Sequence, residues 1–401
     1  MPFGRGMLAH WTLDPDVTYL NHGTVGVVPR RVQAYQQKLR EEMERGPSRF
    51  VLRDVVSMVG TPRTEPGLLR RAAAAVAEFV GARGDDLAFV DNATSGAMSV
   101  LHSLALQPGD EIVVTDLGYG GMTIVASHVA RERRAEVKTV AVPYPPYDPA
   151  RLIDAIAAAL GPRTRIVMAD HIAAESALVF PVAEIAARCR AKGVLLLVDG
   201  AHAPGQLDLD VPSIGADFYV ANLHKWACAP RSCAFLWAAP LHQAMLHPPV
   251  VSWNLDKGFP AGFDWVGTRD HTPFLSAPEG LAFLRELDFA AVRAYGHSLA
   301  WEAAQALGER WGSPFLPKPD WFGSMVTVAL PDHAGSTPEE AARLRDALLF
   351  EDKIEVQVHA SHGRLWTRVC AQVYNDMSDV TRLADAVARR LPAVIPPPTR
   401  T

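Results

Sequence analysis

The chain has 401 residues, 49% of them hydrophobic and 21% charged, with 39 Lys plus Arg against 44 Asp plus Glu for a net charge of −5. That balance describes a soluble globular protein long enough for a large domain and a smaller companion, and it offers no general attraction to phosphate backbones or anionic lipid, so neither nucleic acid nor membrane is expected as a partner. The four cysteines, Cys189, Cys228, Cys233 and Cys370, include no CxxC pair, so neither a disulfide framework nor a metal site is predicted.

The chain opens MPFGRGMLAHWTLDPDV, where His10 and Asp14 interrupt the apolar stretch before it can form a signal-peptide core, and a cytoplasmic location is expected. Between residues 80 and 240 short apolar runs alternate with helix-like stretches, the pattern of a largely parallel sheet covered by helices on both faces. Strands are predicted at 111–115 (EIVVT), 135–142, 165–169 (RIVMA), 194–198 (VLLLV), 217–221 (DFYVA) and 233–238 (CAFLWA). Amphipathic helices are predicted at 68–80, 96–106, 121–133, 150–160 and 182–192.

Beyond residue 275 two long helical patterns, Pro278–Val292 and His297–Trp311, lead through a Pro-rich connection at Ser313–Asp320 into a compact α+β segment. That segment should hold a strand near 324–330, a helix at 337–351, strands near 354–358 and 365–369, and a final helix at 378–391 before a Pro-rich tail, PAVIPPPTRT. The expected layout is an N-terminal arm (1–17), a large α/β domain (18–273) and a smaller C-terminal α+β domain (274–401).

The densest chemical signal is VLLLVDGAHAPGQLDLDVPSIGADFYVANLHKW, residues 194–226. One apolar strand ends in Asp199, and 26 residues later a second runs into His224-Lys225. Ligands of open α/β sheets sit at the carboxyl ends of strands, so both charged residues should face one crevice. Pyridoxal phosphate (PLP) chemistry uses such a pair: a lysine forms the Schiff base, and an aspartate keeps the pyridine nitrogen protonated so that the ring accepts electrons. A phosphate also needs backbone N–H groups at a helix start with hydroxyls beside them. Asn92, Thr94 and Ser95, after a strand ending at Val90, supply that arrangement, although the same residues also make a good N-cap. Glycine-rich dinucleotide and Walker patterns are absent.

DNATSGA, DLGYGG, DGAHAPGQ, GADFYVANLHKW and VGTRD follow one another in the order and approximate spacing of the fold-type I PLP enzymes of aminotransferase class V, which this chain resembles over roughly residues 18–390. Tyr19 to Gly26 (YLNHGTVG) and Arg368 to Asn375 (RVCAQVYN) resemble the isopenicillin N epimerase-like branch. The resemblance implies a mostly parallel sheet of seven-stranded type with helices on both faces and a smaller C-terminal domain. It implies Lys225 as the Schiff-base lysine, Asp199 as the partner of the pyridine nitrogen, His202 at the phenolate oxygen or ring, and Tyr119 stacked on the ring. Thr94, Ser95 and His224 would hold the phosphate, and Thr268 would add a hydroxyl from the neighbouring subunit of a homodimer. Arg368 would clamp the α-carboxylate of an amino-acid substrate, with Asn21 and His22 lining the substrate side.

Two departures bear on the reaction. Cysteine desulfurases of this class carry a mobile nucleophilic Cys ahead of the carboxylate arginine, and residues 355–367 contain none; Cys370 reads as a core thiol. Ala173-Ala174-Glu175-Ser176 stands where a Thr/Ser-Ser-Pro-Thr run would be expected after Asp170-His171. The implied activity is removal of the α-proton by Lys225, followed by epimerisation, β-elimination with C–S cleavage, or transamination. Epimerisation needs a second proton donor on the opposite face, for which His22 and Tyr119 are the candidates. The reading from another class is a binding protein that keeps the fold without turnover.

Overall fold

The computed structural model describes residues 2–60 and 65–391; the Pro-rich tail expected at 392–401 lies outside the described residues. In chain order the strands are β1 (Thr18–Tyr19), β2 (Leu87–Val90), β3 (Glu111–Thr115), β4 (Glu136–Val140), β5 (Thr164–Asp170) and β6 (Leu195–Asp199), then β7 (Phe218–Asn222), β8 (Ala234–Ala238), β9 (Met325–Ala329), β10 (Ile354–Glu355), β11 (Gln357–Ser361) and β12 (Arg364–Cys370). The chain divides into two compact units. The first is the described part of Met1–His22, Glu175–Ala177 and Val292–Thr401, and the second is Gly23–Ala174 with Leu178–Ala291. The expected arm 1–17 therefore belongs with the C-terminal residues, and the boundary expected at 273/274 falls at 291/292.

The second unit is built on a seven-stranded sheet in the order β2-β8-β7-β6-β5-β3-β4, parallel throughout except for β8, which runs against both neighbours. Its inner strands are mainly apolar and buried, as a sheet covered on both faces requires, with Arg165 near the start of β5 exposed and Leu195 at the start of β6 half-buried. Edge strand β4 (EVKTV) is instead largely exposed and carries Lys138, a charge that discourages pairing with another edge. Helices Ala93–Ser103 and Gly120–Arg133 share one core with the sheet. Ala93–Ser103 lies close on β7 because Gly96 faces Val220, where a Cβ would stand 2.7 Å from Val220 Cγ1. It starts three residues before the expected 96, since Asn92 and Ser95 form a reciprocal capping box that fixes the first turn. Helix Arg30–Arg45 has no counterpart in the sequence expectations.

The first unit holds an antiparallel three-stranded sheet, β11-β12-β9, and the short parallel pair β1-β10. Its core gathers Leu20, Leu299, Leu307, Val326, Leu348, Ile354, Val369, Leu383 and their neighbours. One long helix, Phe289–Trp311, replaces the expected break between 293 and 296. The break falls at Asp288, whose φ of 67° ends the preceding helix and whose carboxylate accepts from the amides of Ala290 and Ala291 to start the next. Gly296 serves close packing there, with a Cβ at that position landing 2.4 Å from Ser324 Oγ. Among the described residues no helix is long and apolar enough to cross a membrane.

Candidate active site

In the second unit the carboxyl ends of β2, β3, β5, β6 and β7 lead into the residues singled out from the sequence. Asp199 ends β6 and is buried, with one carboxylate oxygen accepting from the Ala201 amide at 2.9 Å. Burial pushes its carboxyl up to about 6, while the Ala201 amide and the charge of Lys225 pull the other way. Asp170 ends β5 in direct register with Asp199, so two carboxylates lie side by side out of solvent. Burial and the neighbouring Asp199 raise Asp170 well above the ordinary carboxylate range, against a hydrogen bond from the Tyr119 amide. Sequence reading missed Asp170, although RIVMAD ends in an acid just as LLLVD does.

Lys225 follows β7, and its Nζ lies 3.0 Å from Nε2 of His202. On the other side of that ring the Trp226 indole N–H donates to Nδ1 at 3.4 Å. An indole N–H can only donate, so the neutral His202 ring carries its proton on Nε2, the nitrogen that faces Lys225 Nζ. This segment is fixed by close backbone contacts: a Cβ at Gly26 (φ +70°) would lie 1.7 Å from the His224 carbonyl oxygen, and one at Gly205 (φ +95°) 2.4 Å from that of Trp226. Only glycine allows either approach. His224 Nδ1 donates to the Cys233 carbonyl at 3.0 Å, and burial together with Lys225 lowers the ring to about 4, so Nε2 of the neutral ring is an acceptor and donates to a phosphate only when protonated.

The cradle at the start of Ala93–Ser103 is tied to β7 by Asn222, whose side-chain oxygen accepts from the Ala93 amide at 2.9 Å. The Ser95 hydroxyl accepts from the Asn92 amide and donates to the Asn92 carbonyl, so the cap itself uses it. Half-buried Thr94 is the hydroxyl left to face a phosphate. Tyr119 caps Gly120–Arg133 with 50% of its surface exposed, which leaves its ring available for stacking. Thr268 is exposed beside Arg269, which pairs with Asp91 at 3.3 Å within the same chain and lies over the Phe274 ring.

In the first unit Arg368 lies buried on β12, and its Nη2 donates to Asn21 Oδ1 at 3.3 Å while Asn21 Nδ2 donates to Glu355 Oε1 at 2.9 Å. His22 corrects the sequence expectation: it has no exposed surface, Nδ1 shares a 2.8 Å hydrogen bond with Tyr374, and Gln372 Nε2 lies 3.3 Å from Nε2. Two engaged ring nitrogens in a sealed setting describe an anchor rather than a proton donor to substrate. The segment that would need a mobile Cys is a tight hairpin, with Ser361 paired to Arg364 across a two-residue turn. All four cysteines are buried free thiols, Cys370 among them.

The second unit thus offers an amine, a buried carboxylate and a helix N-terminus with a hydroxyl, and these donors fit the amine-reactive carbonyl, the ring nitrogen and the phosphate of PLP. The aminotransferase class-V family profile matches residues 67–383. The chain is 35% identical to isopenicillin N epimerase of Streptomyces clavuligerus, covering 94% of this chain and 95% of the relative. It is 30% identical to a probable chloroplastic L-cysteine desulfhydrase of Arabidopsis thaliana, over 93% and 83% of the two chains. Among solved structures, the complex of the cystine C–S lyase C-DES with cysteine persulfide shares the fold at a TM-score of 0.78 and 21% identity, covering 96% of this chain and 99% of that one. The chain therefore belongs to aminotransferase class V and is a PLP-dependent enzyme.

Proposed function

We propose that this enzyme removes the α-proton of an amino acid with Lys225 and then expels a sulfur leaving group from Cβ, a one-base β-elimination. The observation that carries the reading is the Trp226–His202–Lys225 chain, because it favours an uncharged amine where a base is needed. When bound, PLP supplies the electron sink that stabilises negative charge at Cα. Lys225 takes the proton from Cα, the Cβ–S bond breaks with its electron pair on sulfur, and the same proton returns from Nζ to the departing thiolate. Asp199 would accept from a protonated ring nitrogen, and His202 would offer its Nε2 proton. Tyr119 would stack on the ring, Thr94 and the first amides of Ala93–Ser103 would hold the phosphate, with His224 joining them where the phosphate's charge protonates Nε2, and Arg368 would take the substrate carboxylate in a planar fork.

Elimination is favoured over epimerisation because it needs no second acid, and burial of His22 removes one of the two candidates for that acid. Epimerisation keeps one supporting observation, the exposed Tyr119. Persulfide chemistry on a protein thiol is disfavoured by the hairpin at 361–364 and the buried cysteines. The exposed hydroxyl of Thr268 supports a homodimer in which it reaches the cradle of a second copy, and the Arg269–Asp91 pair supports the rival in which it serves its own chain. Four free thiols support a cytoplasmic location.

The test incubates holoenzyme with cysteine, cystine and non-sulfur amino acids in deuterated water. Sulfide from cysteine or persulfide from cystine, each with keto acid and ammonia and from the sulfur substrates alone, supports elimination. Inverted, α-deuterated amino acid without released sulfide or persulfide would replace it with epimerisation, and keto acid from amino acids without a leaving group would replace it with transamination.

A further inference from the structure

We propose that His102, His128 and Glu132 form a binding site for a borderline divalent transition metal of the zinc type, apart from the strand-end cluster. His102 sits in the last turn of helix Ala93–Ser103, and His128 and Glu132 lie one turn apart on Gly120–Arg133. One ligand atom from each falls within 4.8 Å of the others. The two carboxylate oxygens of Glu132 are 3.3 Å from His102 Nε2 and 3.2 Å from His128 Nε2. Two ligands held about 2.0–2.2 Å from one tetrahedral zinc ion stand about 3.3 Å apart, so each imidazole nitrogen already stands at that spacing from a carboxylate oxygen, and the set, within 4.8 Å, needs only a small closure to share one ion. Two imidazoles and one carboxylate are also the donor set that zinc, cobalt and nickel accept and that magnesium and calcium do not favour.

The packing of the two helices holds these residues in place. Val100, Leu101, Val125, Ala126 and Val129 from the two helices lie in one buried core. His102 contributes a side chain only 29% exposed, against 42% for His128 and 47% for Glu132, so the site has one wall in the protein and an open side to water. Cysteine spacing gave no sign of it, since the three ligands come from two helices and include no thiol. One group opposes binding: Arg131 Nη2 lies 3.4 Å from His128 Nδ1 and donates toward it, which places the ring proton on Nε2. A metal on Nε2 requires that proton to leave and Nδ1 to become the donor, so the guanidinium must swing away. Its exposed position permits this, and Arg131 tunes the affinity downward.

Ala93–Ser103 starts at the phosphate cradle and Gly120–Arg133 starts at Tyr119. A metal joining their far turns clamps the helix pair and stabilises the folded chain by mass action. The test uses chelator-treated holoenzyme titrated with Zn2+ alone and with Co2+ alone, followed by calorimetry, the cobalt visible spectrum and thermal unfolding. We expect one equivalent per chain, an intense low-symmetry cobalt spectrum and a higher unfolding midpoint with metal. His102→Gln, His128→Asn and Glu132→Gln should each weaken binding by about tenfold or more, with catalysis and metal-free stability unchanged. Arg131→Ala should bind more tightly. No saturable binding, or equal binding by a His102→Gln/His128→Asn double variant whose metal-free unfolding matches wild type, would overturn the site.

Discussion

The strand-end cluster of the second unit and the Arg368 group of the first solve the problem of buried charge differently. Asp170, Asp199 and Lys225 each stand at the end of an apolar strand or just past it, so the sheet's hydrogen-bond register fixes them, as the Asp170–Asp199 pairing shows. Arg368 and Asn21 are held through side chains, by a relay from Arg368 to Asn21 to Glu355 in which Asn21 lies more than 300 residues from either of the others in sequence. Positions set by backbone register tolerate change in neighbouring side chains, whereas a relay depends on each link. The cluster should therefore fail mainly when a charge or a backbone contact changes, and the relay when any member changes.

The largest effect expected is at Asp199. Asp199→Asn should leave PLP bound while slowing α-proton exchange by orders of magnitude, which exchange in deuterated water measures. The same variant has a readable stability signature without cofactor. Because the folded carboxyl is raised to about 6, its contribution is fully present below the unfolded value near pH 4 and is lost as pH rises through 6. The cost is at most about 3 kcal/mol, and Asp170 adds to it in the same direction. Unfolding of the cofactor-free wild type should weaken over that window more than Asp199→Asn does; parallel curves would break the account of burial as the cause.

Gly26→Ala comes next, because the new Cβ would meet the His224 carbonyl at 1.7 Å from a φ of +70°. A loss on the order of 3 kcal/mol in stability, together with loss of PLP binding, is expected by denaturant titration and cofactor absorbance. Arg368→Ala should cost on the order of 3 kcal/mol in amino-acid binding while sparing the decarboxylated amine, and Arg368→Lys should do most of the same damage. Equal loss for both ligands would make Arg368 structural. The smallest effect is expected from Trp226→Phe, which keeps the packing but removes the donor to His202, worth about 1 kcal/mol. Without it His202 can carry its proton on Nδ1 and accept from a charged Lys225, so the acidic limb of the rate profile should move to higher pH. An unmoved limb would detach Trp226 from the base.

How much of this could be read in the sequence follows the same division. Lys225, Asp199 and the Asn92–Ser95 turn were legible because a polar residue closing an apolar run has one place in a parallel sheet. Asp170 is equally visible, closing RIVMAD as Asp199 closes LLLVD, but it has no role in the sequence expectations. The burial of His22 could not be read, since the Tyr374 and Gln372 that seal it are about 350 residues away and nothing local announces them. Ser95 reads both as a phosphate donor and as a cap residue, and its hydroxyl is engaged by the cap. Helix Arg30–Arg45 escaped because only Val32 and Leu39 of its sixteen residues are buried, too thin an apolar stripe to read.

The central claim is that Lys225 carries the proton to and from Cα. It is tested most directly by deuterium incorporation at Cα in a single incubation of Lys225→Ala loaded with PLP and a slowly reacting amino acid, beside wild type. The account predicts that the variant still binds PLP, without the borohydride-reducible link to the chain, and that its exchange falls by at least about two to four orders of magnitude, with partial recovery on adding a small primary amine. Exchange near the wild-type rate in the variant would contradict the assignment of Lys225 as the base.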